Sequence, residues 1–404
     1  MPRRYRAARP EEHRVLVVQD AQAFGDSTVR ADIDRSLART PLEELRVLAD
    51  EDGSRVGLLL ARTQRVFWGG RPVPASQVSG LSVAAEHRGR GAGAELLRAY
   101  LAEAHDRGAA ICTLFPATVP LYRGAGFEYA GTWTLYEAAA RHLPMGWPEG
   151  YRAVPLSPSE DPASLMERFA RTLPDRSGQI ERDATIWRDF ILAERQGGAP
   201  QAFLVDGPDE PDGWAVLKVD EHASAREVAA TVEVLDWGAA SPGGWRSLLT
   251  LAAGFASLDA RVLWKGPEVE PLALLLREQD VRQVRQFRFM VRVLDVPGAF
   301  AARGYPDAAR GRLTLEVADD ACPWVAGTWT VEVEGGEAKA ARVDSQAGAA
   351  RARTDASGLA ALFAGYVDPG RLAELGIVAG LTAEDVAFLR AVHAGPTPWS
   401  ADFY

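Results

Sequence analysis

The stretch that decides the fold of this chain reads Val78-Ser79-Gly80-Leu81-Ser82-Val83-Ala84-Ala85-Glu86-His87-Arg88-Gly89-Arg90-Gly91-Ala92-Gly93. Its first half predicts an apolar strand, and its second half opens an amphipathic helix. The first N–H groups of a helix have no partners inside the helix, and the helix dipole adds partial positive charge at the same end. The glycines let the backbone approach a bulky anion, while Arg88 and Arg90 add flanking cations. We therefore predict a pyrophosphate cradle at Arg88–Gly93.

The surroundings of this cradle favour anion binding over the alternative, a flexible loop that carries two solvated arginines. The following helix has an apolar face suited to packing on a sheet, formed by Leu97, Tyr100, Leu101 and Ala104. A second apolar strand is predicted at Ala109–Phe115, and the run Leu121–Glu128 follows it. Phosphate-binding turns require this strand-and-helix context, which supports the functional interpretation.

The composition is that of a multidomain globular protein. Of the 404 residues, 47% are apolar and 25% are charged, and a chain of this length predicts about two to four domains. The net charge of −10 argues against nucleic acid as a partner, because clustered positive charge supplies most of the affinity for phosphate backbones. The same charge favours cationic partners.

Cysteine usage and the absence of targeting signals predict a cytoplasmic protein. Cys112 and Cys322 fall in different predicted domains, which argues against a disulfide framework or a cysteine-based zinc site. The histidines show no metal-ligand spacing. No run approaches the roughly 18 apolar residues of a membrane span, and the N-terminus lacks the apolar segment of a signal peptide. We expect no metal cofactor and no membrane partner.

Breaks in the pattern predict three domains. The first covers residues 1–141 and contains the cradle, and a linker rich in proline and glycine follows it at residues 142–150. The second, residues 151–294, repeats the strands and the helix but carries Ser241-Pro242-Gly243-Gly244 in place of the cradle. Pro242 lacks the backbone donor that a phosphate needs, so we expect a degenerate copy that binds no such ligand.

The third predicted domain, residues 295–404, changes character. Four strands are predicted to form a meander, and helices follow with Asp355 and Thr382 as N-cap residues. The fold class predicted for the whole chain is α/β (α+β).

This arrangement resembles the Eis-type (enhanced intracellular survival) family of GNAT N-acetyltransferases over essentially the whole chain. The stretches that carry the resemblance are Val78–Gly93, Leu121–Phe127, Asp295–Tyr305 and Ala401–Tyr404. The resemblance implies tandem GNAT domains, the second degenerate, followed by an α+β domain similar to sterol carrier proteins. It also implies acetyl transfer from acetyl-CoA to amines, including those of aminoglycosides and lysine side chains, and assembly as a hexamer.

The resemblance assigns roles to particular residues. Tyr122 is implied as the general acid, and the C-terminal carboxylate of Tyr404 is implied to reach the active site and to orient or deprotonate the amine. Phe24 and Asp26 fall where the family has an apolar wall and an anionic contact for the substrate. The implied cofactor-binding residues are Leu81, Ser82, Val83, Arg88, Gly89, Arg90, Gly91, Ala92 and Gly93.

Each of these roles has a structural alternative. Tyr122 is also a candidate core aromatic, Tyr404 a disordered terminus, and Asp26 a helix cap. Proton transfer from a tyrosine to a thiolate is uphill by only about 2 kcal/mol at their ordinary pKa values, so the catalytic role is chemically reasonable.

The acceptor is the open question. Phe403 is the penultimate residue, where the family leads us to expect an acid, and Asp402 is displaced by one place. We expect primary amines of small cationic molecules, similar to aminoglycosides or polyamines. The alternatives are a protein lysine N-acetyltransferase and a hydrophobic-ligand carrier whose GNAT domain is vestigial.

Overall fold

The computed structural model describes residues 3–25, 32–157, 161–173, 176–194, 198–223, 228–343 and 352–403. Its strands are β1 (Arg4–Ala7), β2 (Leu45–Ala49), β3 (Arg55–Trp68), β4 (Arg71–Val83), β5 (Ile111–Leu114), β6 (Glu128–Ala139), β7 (Arg152–Leu156), β8 (Gln201–Asp206), β9 (Pro211–Ala223), β10 (Val228–Ala239), β11 (Arg261–Gly266), β12 (Arg282–Val293), β13 (Gly311–Ala318), β14 (Gly327–Glu334), β15 (Glu337–Arg342), β16 (Ala352–Asp355) and β17 (Val378–Ala379).

The helices are α1 (His13–Phe24), α2 (Ile33–Arg39), α3 (Ala92–Asp106), α4 (Val119–Arg123), α5 (Ala163–Arg171), α6 (Ala184–Ile186), α7 (Pro242–Ala253), α8 (Val296–Ala302), α9 (Ala356–Ala364), α10 (Pro369–Glu374) and α11 (Ala383–Val392). The chain divides into two compact units. The first unit contains residues 1–131 and 288–398, and the second contains residues 132–287 and 399–403.

The first unit contains a mixed sheet in the order β1-β2-β3-β4-β5-β12, with β4 and β5 parallel. Helix α3 buries an apolar stripe, as its spacing predicts, and Leu96 and Leu101 on this stripe are fully buried. Helix α1 contributes Leu16 and Val17 to a second cluster that includes residues of β2 and β3. The two helices therefore lie against opposite faces of this sheet.

One strand of this sheet is longer than the sequence predicts. The sequence predicts two strands, Val56–Arg62 and Val66–Trp68, yet β3 continues through the polar residues between them. The reason is a long hairpin: β3 and β4 stay paired up to Trp68 and Arg71, and the turn at Gly69 and Gly70 has positive φ angles of 56° and 75°. Ladder hydrogen bonds along such a hairpin do not depend on side-chain polarity.

A second sheet in the first unit has the order β15-β14-β13-β16-β17. The predicted meander is correct for β13, β14 and β15, but the prediction is wrong for the fourth strand, because β16 pairs in parallel with β13. This placement buries Ala352. It also brings Asp355 to the start of α9, where its side chain accepts a hydrogen bond from the Gly358 N–H at 2.9 Å. The predicted caps at Asp355 and Thr382 are both confirmed.

The second unit contains a sheet in the order β6-β11-β10-β9-β8-β7. Helix α7 buries Leu248 and Leu249 in a core that also holds Val232 and Trp264. Strands β10 and β11 are parallel, as β4 and β5 are in the first unit. The repeated plan predicted from the sequence is therefore present.

Candidate active site

The site begins where β4 and β5 separate. Their parallel pairing runs from Ala75 opposite Ile111 to Val78 opposite Leu114, where β5 ends. Strand β4 continues to Val83 and stays paired only with β3 among the described strands. A bulge at Ser79 marks the separation, because Leu60 lies opposite Gly80 and Ala61 lies opposite Val78. The backbone of the last β4 residues is consequently exposed toward the gap.

The cradle joins this strand end to α3. Gly89 and Gly91 have φ angles of 72° and 77°, and Gly91 is the N-cap residue of α3. A Cβ on either glycine would meet no atom within 4 Å, so the loop surface is open. The Arg88 side chain donates from Nε to the Val83 carbonyl at 3.0 Å, and Arg90 is exposed. These features are those of an anion site at a helix N-terminus.

The side chains of Leu81 and Val83 point to the same side as the start of α3. A Cβ at Gly93 would lie 3.7 Å from the Leu81 side chain and 3.6 Å from that of Val83. It would also lie 3.7 Å from Leu121 in α4. The end of β4, the cradle and α4 therefore meet at Gly93, and the preceding residue Ala92 is buried.

Tyr122 lies in α4 beside this meeting point. Its ring packs edge-to-face on Phe127 with centroids 5.9 Å apart, and its side chain is 5% exposed. Burial, followed by the nearby Cys112 thiol, raises the pKa of Tyr122 to about 12. The phenol is therefore fully protonated at neutral pH, which is the state that a proton donor needs.

The remaining predicted residues are only partly covered by the structure. Phe24 lies at the end of α1 and is 51% exposed. Ser82 is buried, and its Oγ has no hydrogen-bond partner among the described residues. Asp26 and Tyr404 lie outside the described residues.

One acidic residue that the sequence pattern does not indicate, Asp20 of α1, lies against β4. A Cβ at Gly80 would lie 2.7 Å from Asp20 Oδ1, so the carboxylate touches the backbone of β4 beside the bulge. A glycine inside a predicted strand is the signal that indicates such a close approach. Nothing in the sequence says which residue makes it.

The last residues of the chain that the structure describes are anchored in the second unit. The Ser400 N–H donates to the Thr132 carbonyl at 2.8 Å, and Gln179 Nε2 donates to the Trp399 carbonyl at 3.0 Å. Arg182 is buried and donates both to Asp236 at 2.7 Å and to Asp402 at 3.0 Å. Burial raises the pKa of Asp402 above its ordinary value, although Arg182 opposes this rise.

The second unit keeps the bulge but fills the counterpart of the cradle with its own side chains. Leu235 is the extra residue of β10, and its carbonyl accepts a hydrogen bond from Lys265 Nζ at 2.9 Å. The buried carboxylate of Asp212 accepts hydrogen bonds from the Ala240 N–H at 2.9 Å and the Ser241 N–H at 3.2 Å. It also accepts one from the Ser241 hydroxyl. A carboxylate therefore occupies the place at the start of α7 where an anionic ligand would bind.

The described residues form neither a metal-binding cluster nor a membrane-spanning helix. No group of three or more His, Cys, Asp or Glu side chains in these residues is arranged to hold a metal ion. No helix in the described part of the chain is long and apolar enough to cross a membrane.

Comparisons with known proteins agree with this geometry. Residues 4–130 and 178–293 each match a family model described as an acetyltransferase (GNAT) domain, and residues 296–401 match a sterol carrier protein domain. The chain is 29% identical to an N-acetyltransferase of Streptomyces griseus over 91% of its length and 94% of the relative. It is 27% identical to the N-acetyltransferase Eis of Mycobacterium tuberculosis over 84% of its length and 82% of the relative.

A solved structure extends the comparison to the whole fold. A GCN5-related N-acetyltransferase from Anabaena variabilis superposes with a TM-score of 0.90 at 26% identity, covering 100% of both chains. Two GNAT domains followed by a sterol carrier protein domain define an acyltransferase of the GNAT class. Within that class, the chain is similar to the Eis-type N-acetyltransferases over most of its length. GNAT acetyltransferases use acetyl-CoA as the acyl donor, and the resemblance seen in the sequence is confirmed.

Proposed function

We propose that this protein transfers the acetyl group of acetyl-CoA to primary amines of small cationic molecules, at one site per chain. The observation that carries the proposal is the separation of β4 and β5 beside the open cradle, with Tyr122 buried next to it. The cradle residues Arg88–Gly93 would bind the pyrophosphate of CoA through backbone N–H groups and two arginines. The exposed backbone of Leu81–Val83 would bind the pantetheine and polarise the acetyl carbonyl.

Tyr122 is proposed as the general acid that protonates the departing CoA thiolate. Starting from a pKa of about 12, proton transfer to a thiolate of ordinary pKa is uphill by about 5 kcal/mol. This free energy of proton transfer exceeds the roughly 2 kcal/mol expected at ordinary pKa values, because burial raises the pKa of Tyr122. The same burial would raise the pKa of the enclosed CoA thiol and thereby reduce the difference.

The acceptor side of the proposal rests mainly on the resemblance. The amine must be neutral when it attacks, and we propose that the carboxylate of Tyr404 orients it or takes its proton. Ser400 and Asp402, which precede Tyr404 in the chain, are held by hydrogen bonds within the second unit. Phe24 and Asp26 are proposed to provide an apolar wall and an anionic contact. Assembly as a homohexamer is likewise proposed from the resemblance.

A second enzymatic function, acetylation of lysine side chains in proteins, requires the same donor site and differs only in the acceptor. Thiol release from acetyl-CoA distinguishes the two when it is measured with polyamines, aminoglycosides, arylamines and lysine peptides. We expect turnover with the small cationic amines. Turnover with lysine peptides alone would establish the alternative.

The mechanism is tested by Tyr122→Phe, with Tyr129→Phe as the matched control. Tyr129 is close in sequence, and its ring lies under Arg123 at 5.2 Å. Loss of a general acid is expected to lower kcat about 100- to 1,000-fold, whereas the KM for acetyl-CoA should change less than twofold because the cradle is intact. Deletion of Tyr404 should lower kcat for amines in the same way. Unchanged kcat in both variants would show that the proposed mechanism is wrong.

A further inference from the structure

The turn that carries Tyr122 is short and depends on its surroundings. Helix α4 has five residues, and the chain reverses directly after it, where the Ala125 and Phe127 N–H groups donate to the Tyr122 carbonyl at 2.9 Å and 3.1 Å. Gly126 permits the reversal with a φ angle of 82°. A helix of this length is not stable on its own in water, so contacts from other parts of the fold must fix its position. We refer to residues 122–127 as the tyrosine turn.

The start of α9 bridges the two ends of the tyrosine turn. The Ser357 hydroxyl donates to the Phe127 carbonyl at 3.1 Å and more weakly to the Arg123 carbonyl at 3.4 Å. These two carbonyls lie on opposite sides of the reversal. Ser357 belongs to the segment that matches a sterol carrier protein domain. A single hydroxyl group of the third domain therefore joins both ends of the turn.

The backbone of the tyrosine turn also packs directly against α9 and β12. A Cβ on Gly126 would lie 2.6 Å from the Ala356 Cβ and 2.8 Å from the guanidinium carbon of Arg292. Both distances are shorter than van der Waals contact, so position 126 has no room for a side chain. The turn consequently cannot move toward either element without displacing packed atoms.

The Arg292 side chain is itself fixed by the third domain. It is fully buried, and its Nη2 donates to the buried carboxylate of Asp319. Asp319 also accepts hydrogen bonds from the Ala321 N–H at 3.0 Å and the Cys322 N–H at 2.9 Å. Separation of this ion pair would leave uncompensated charges in the interior. Arg292 is therefore a rigid support beneath Gly126.

A proton donor needs an accurate position, whereas a core aromatic does not. The phenol must come within hydrogen-bond reach of the departing sulfur, and a displacement of about 1 Å can cost about 100-fold in rate. The Tyr122 ring packs on Phe127 with centroids 5.9 Å apart. Ser357 bonds to the carbonyl of that same Phe127, so a shift of the turn away from α9 would also move the phenol.

We infer that Ser357 is a positioning residue for Tyr122, and that the third domain completes the catalytic site by holding the turn that bears the proton donor. This inference deepens the proposed function and rests on it for the role of Tyr122. It assigns to the sterol carrier protein domain a task in acetyl transfer that requires no ligand within that domain.

The test is Ser357→Ala in the full-length protein, with Thr354→Val as the matched control. The Thr354 hydroxyl makes the same kind of hydrogen bond, to the Ile377 carbonyl at 2.9 Å, but both partners lie outside the tyrosine turn. We expect kcat for thiol release to fall about tenfold in Ser357→Ala, the size of effect that one hydrogen bond gives, while the KM for acetyl-CoA changes less than about twofold. Thr354→Val should keep the wild-type kcat, and Ser357→Thr, which retains the hydroxyl, should restore it.

A double variant separates positioning from a general loss of stability. In Tyr122→Phe there is no phenolic proton to position, so the addition of Ser357→Ala should lower kcat by less than about twofold. A tenfold loss in both backgrounds, or a wild-type kcat in Ser357→Ala, would overturn the inference. Failure of the proposed function gives a different result, because Tyr122→Phe alone would then keep the wild-type kcat, and the inference would fall with it.

Discussion

Tyr122 has the residue type that the sequence predicts for a proton donor, but its acidity depends on its surroundings. Among the described residues, the largest influence on its pKa is burial, and the Cys112 thiol acts in the same direction. Both stabilise the neutral phenol relative to the phenolate. The Tyr122 phenol therefore stays protonated over the whole physiological pH range.

This pKa predicts the alkaline side of the pH–rate profile. A general acid works in its protonated form, below its pKa, so kcat should not fall through ionisation of Tyr122 until the pH approaches 12. The measurement is kcat from pH 7 to about pH 10 with a saturating polyamine, whose deprotonation over that range only raises the fraction of reactive neutral amine. A decline centred near pH 8.5 would contradict the assignment and point to a thiol or another weakly perturbed group.

The glycines of the cradle can be recognised from the sequence alone. Gly89 and Gly91 adopt the left-handed region, which only glycine enters without strain, so their spacing alone indicates the turn. The contact between Asp20 and Gly80 has no such signature, since the two residues are 60 positions apart in the chain.

At the scale of elements, the two units contain the same strand–bulge–helix arrangement, but the start of the helix is open in one and filled by side chains in the other. In the first unit the helix start is open. In the second unit, Asp212 accepts hydrogen bonds from the backbone N–H groups that a CoA phosphate would use. Lys265 donates to the backbone carbonyl at the bulge, which is therefore also engaged. The signal in the sequence is Pro242, whereas the carboxylate that fills the site comes from the distant residue Asp212.

The filled site predicts the consequence of Asp212→Ala. Removal of the carboxylate leaves the Ala240 and Ser241 N–H groups without their acceptor, which should lower the free energy of unfolding by about 2 kcal/mol. Chemical denaturation measures this loss, with Asp209→Ala as the control, because Asp209 is exposed in the neighbouring turn.

Equilibrium dialysis of the wild-type protein against CoA measures the number of CoA sites per chain. We expect one CoA per chain in the wild-type protein, because the second helix start is already satisfied by Asp212. Two CoA molecules bound per wild-type chain would contradict this account of the second unit.

At the scale of the whole molecule, the sterol carrier protein domain bears on the carrier hypothesis. A cavity of about 20 Å³ lies inside it, lined by apolar side chains that include Leu313, Leu359 and Phe388. Burial lowers the pKa of His393, at the same cavity, to about 3, so this side chain is neutral. Such a volume holds a single water molecule, whereas ligand pockets measure about 300–1,000 Å³.

The cavity predicts that the protein does not carry a lipid. Titration of the full-length protein with a fluorescent fatty acid or sterol should show no saturable binding at micromolar concentration, while CoA binds. Saturable lipid binding by the wild-type protein would revive the carrier hypothesis.

The sequence by itself determined the features that depend on neighbouring residues. These are the cradle with its glycines, the caps at Asp355 and Thr382, and the plan of two GNAT domains followed by a sterol carrier protein domain. Each follows from backbone conformation, local hydrogen bonding or apolar periodicity, which a short window of sequence contains.

Only the tertiary structure decided the features that depend on distant residues. The parallel position of β16, the pKa of Tyr122, the carboxylate of Asp212 at α7 and the contact of Asp20 with Gly80 are of this kind. Burial and electrostatic environment are set by groups that the fold brings together across long stretches of chain, and no local pattern encodes which groups these are.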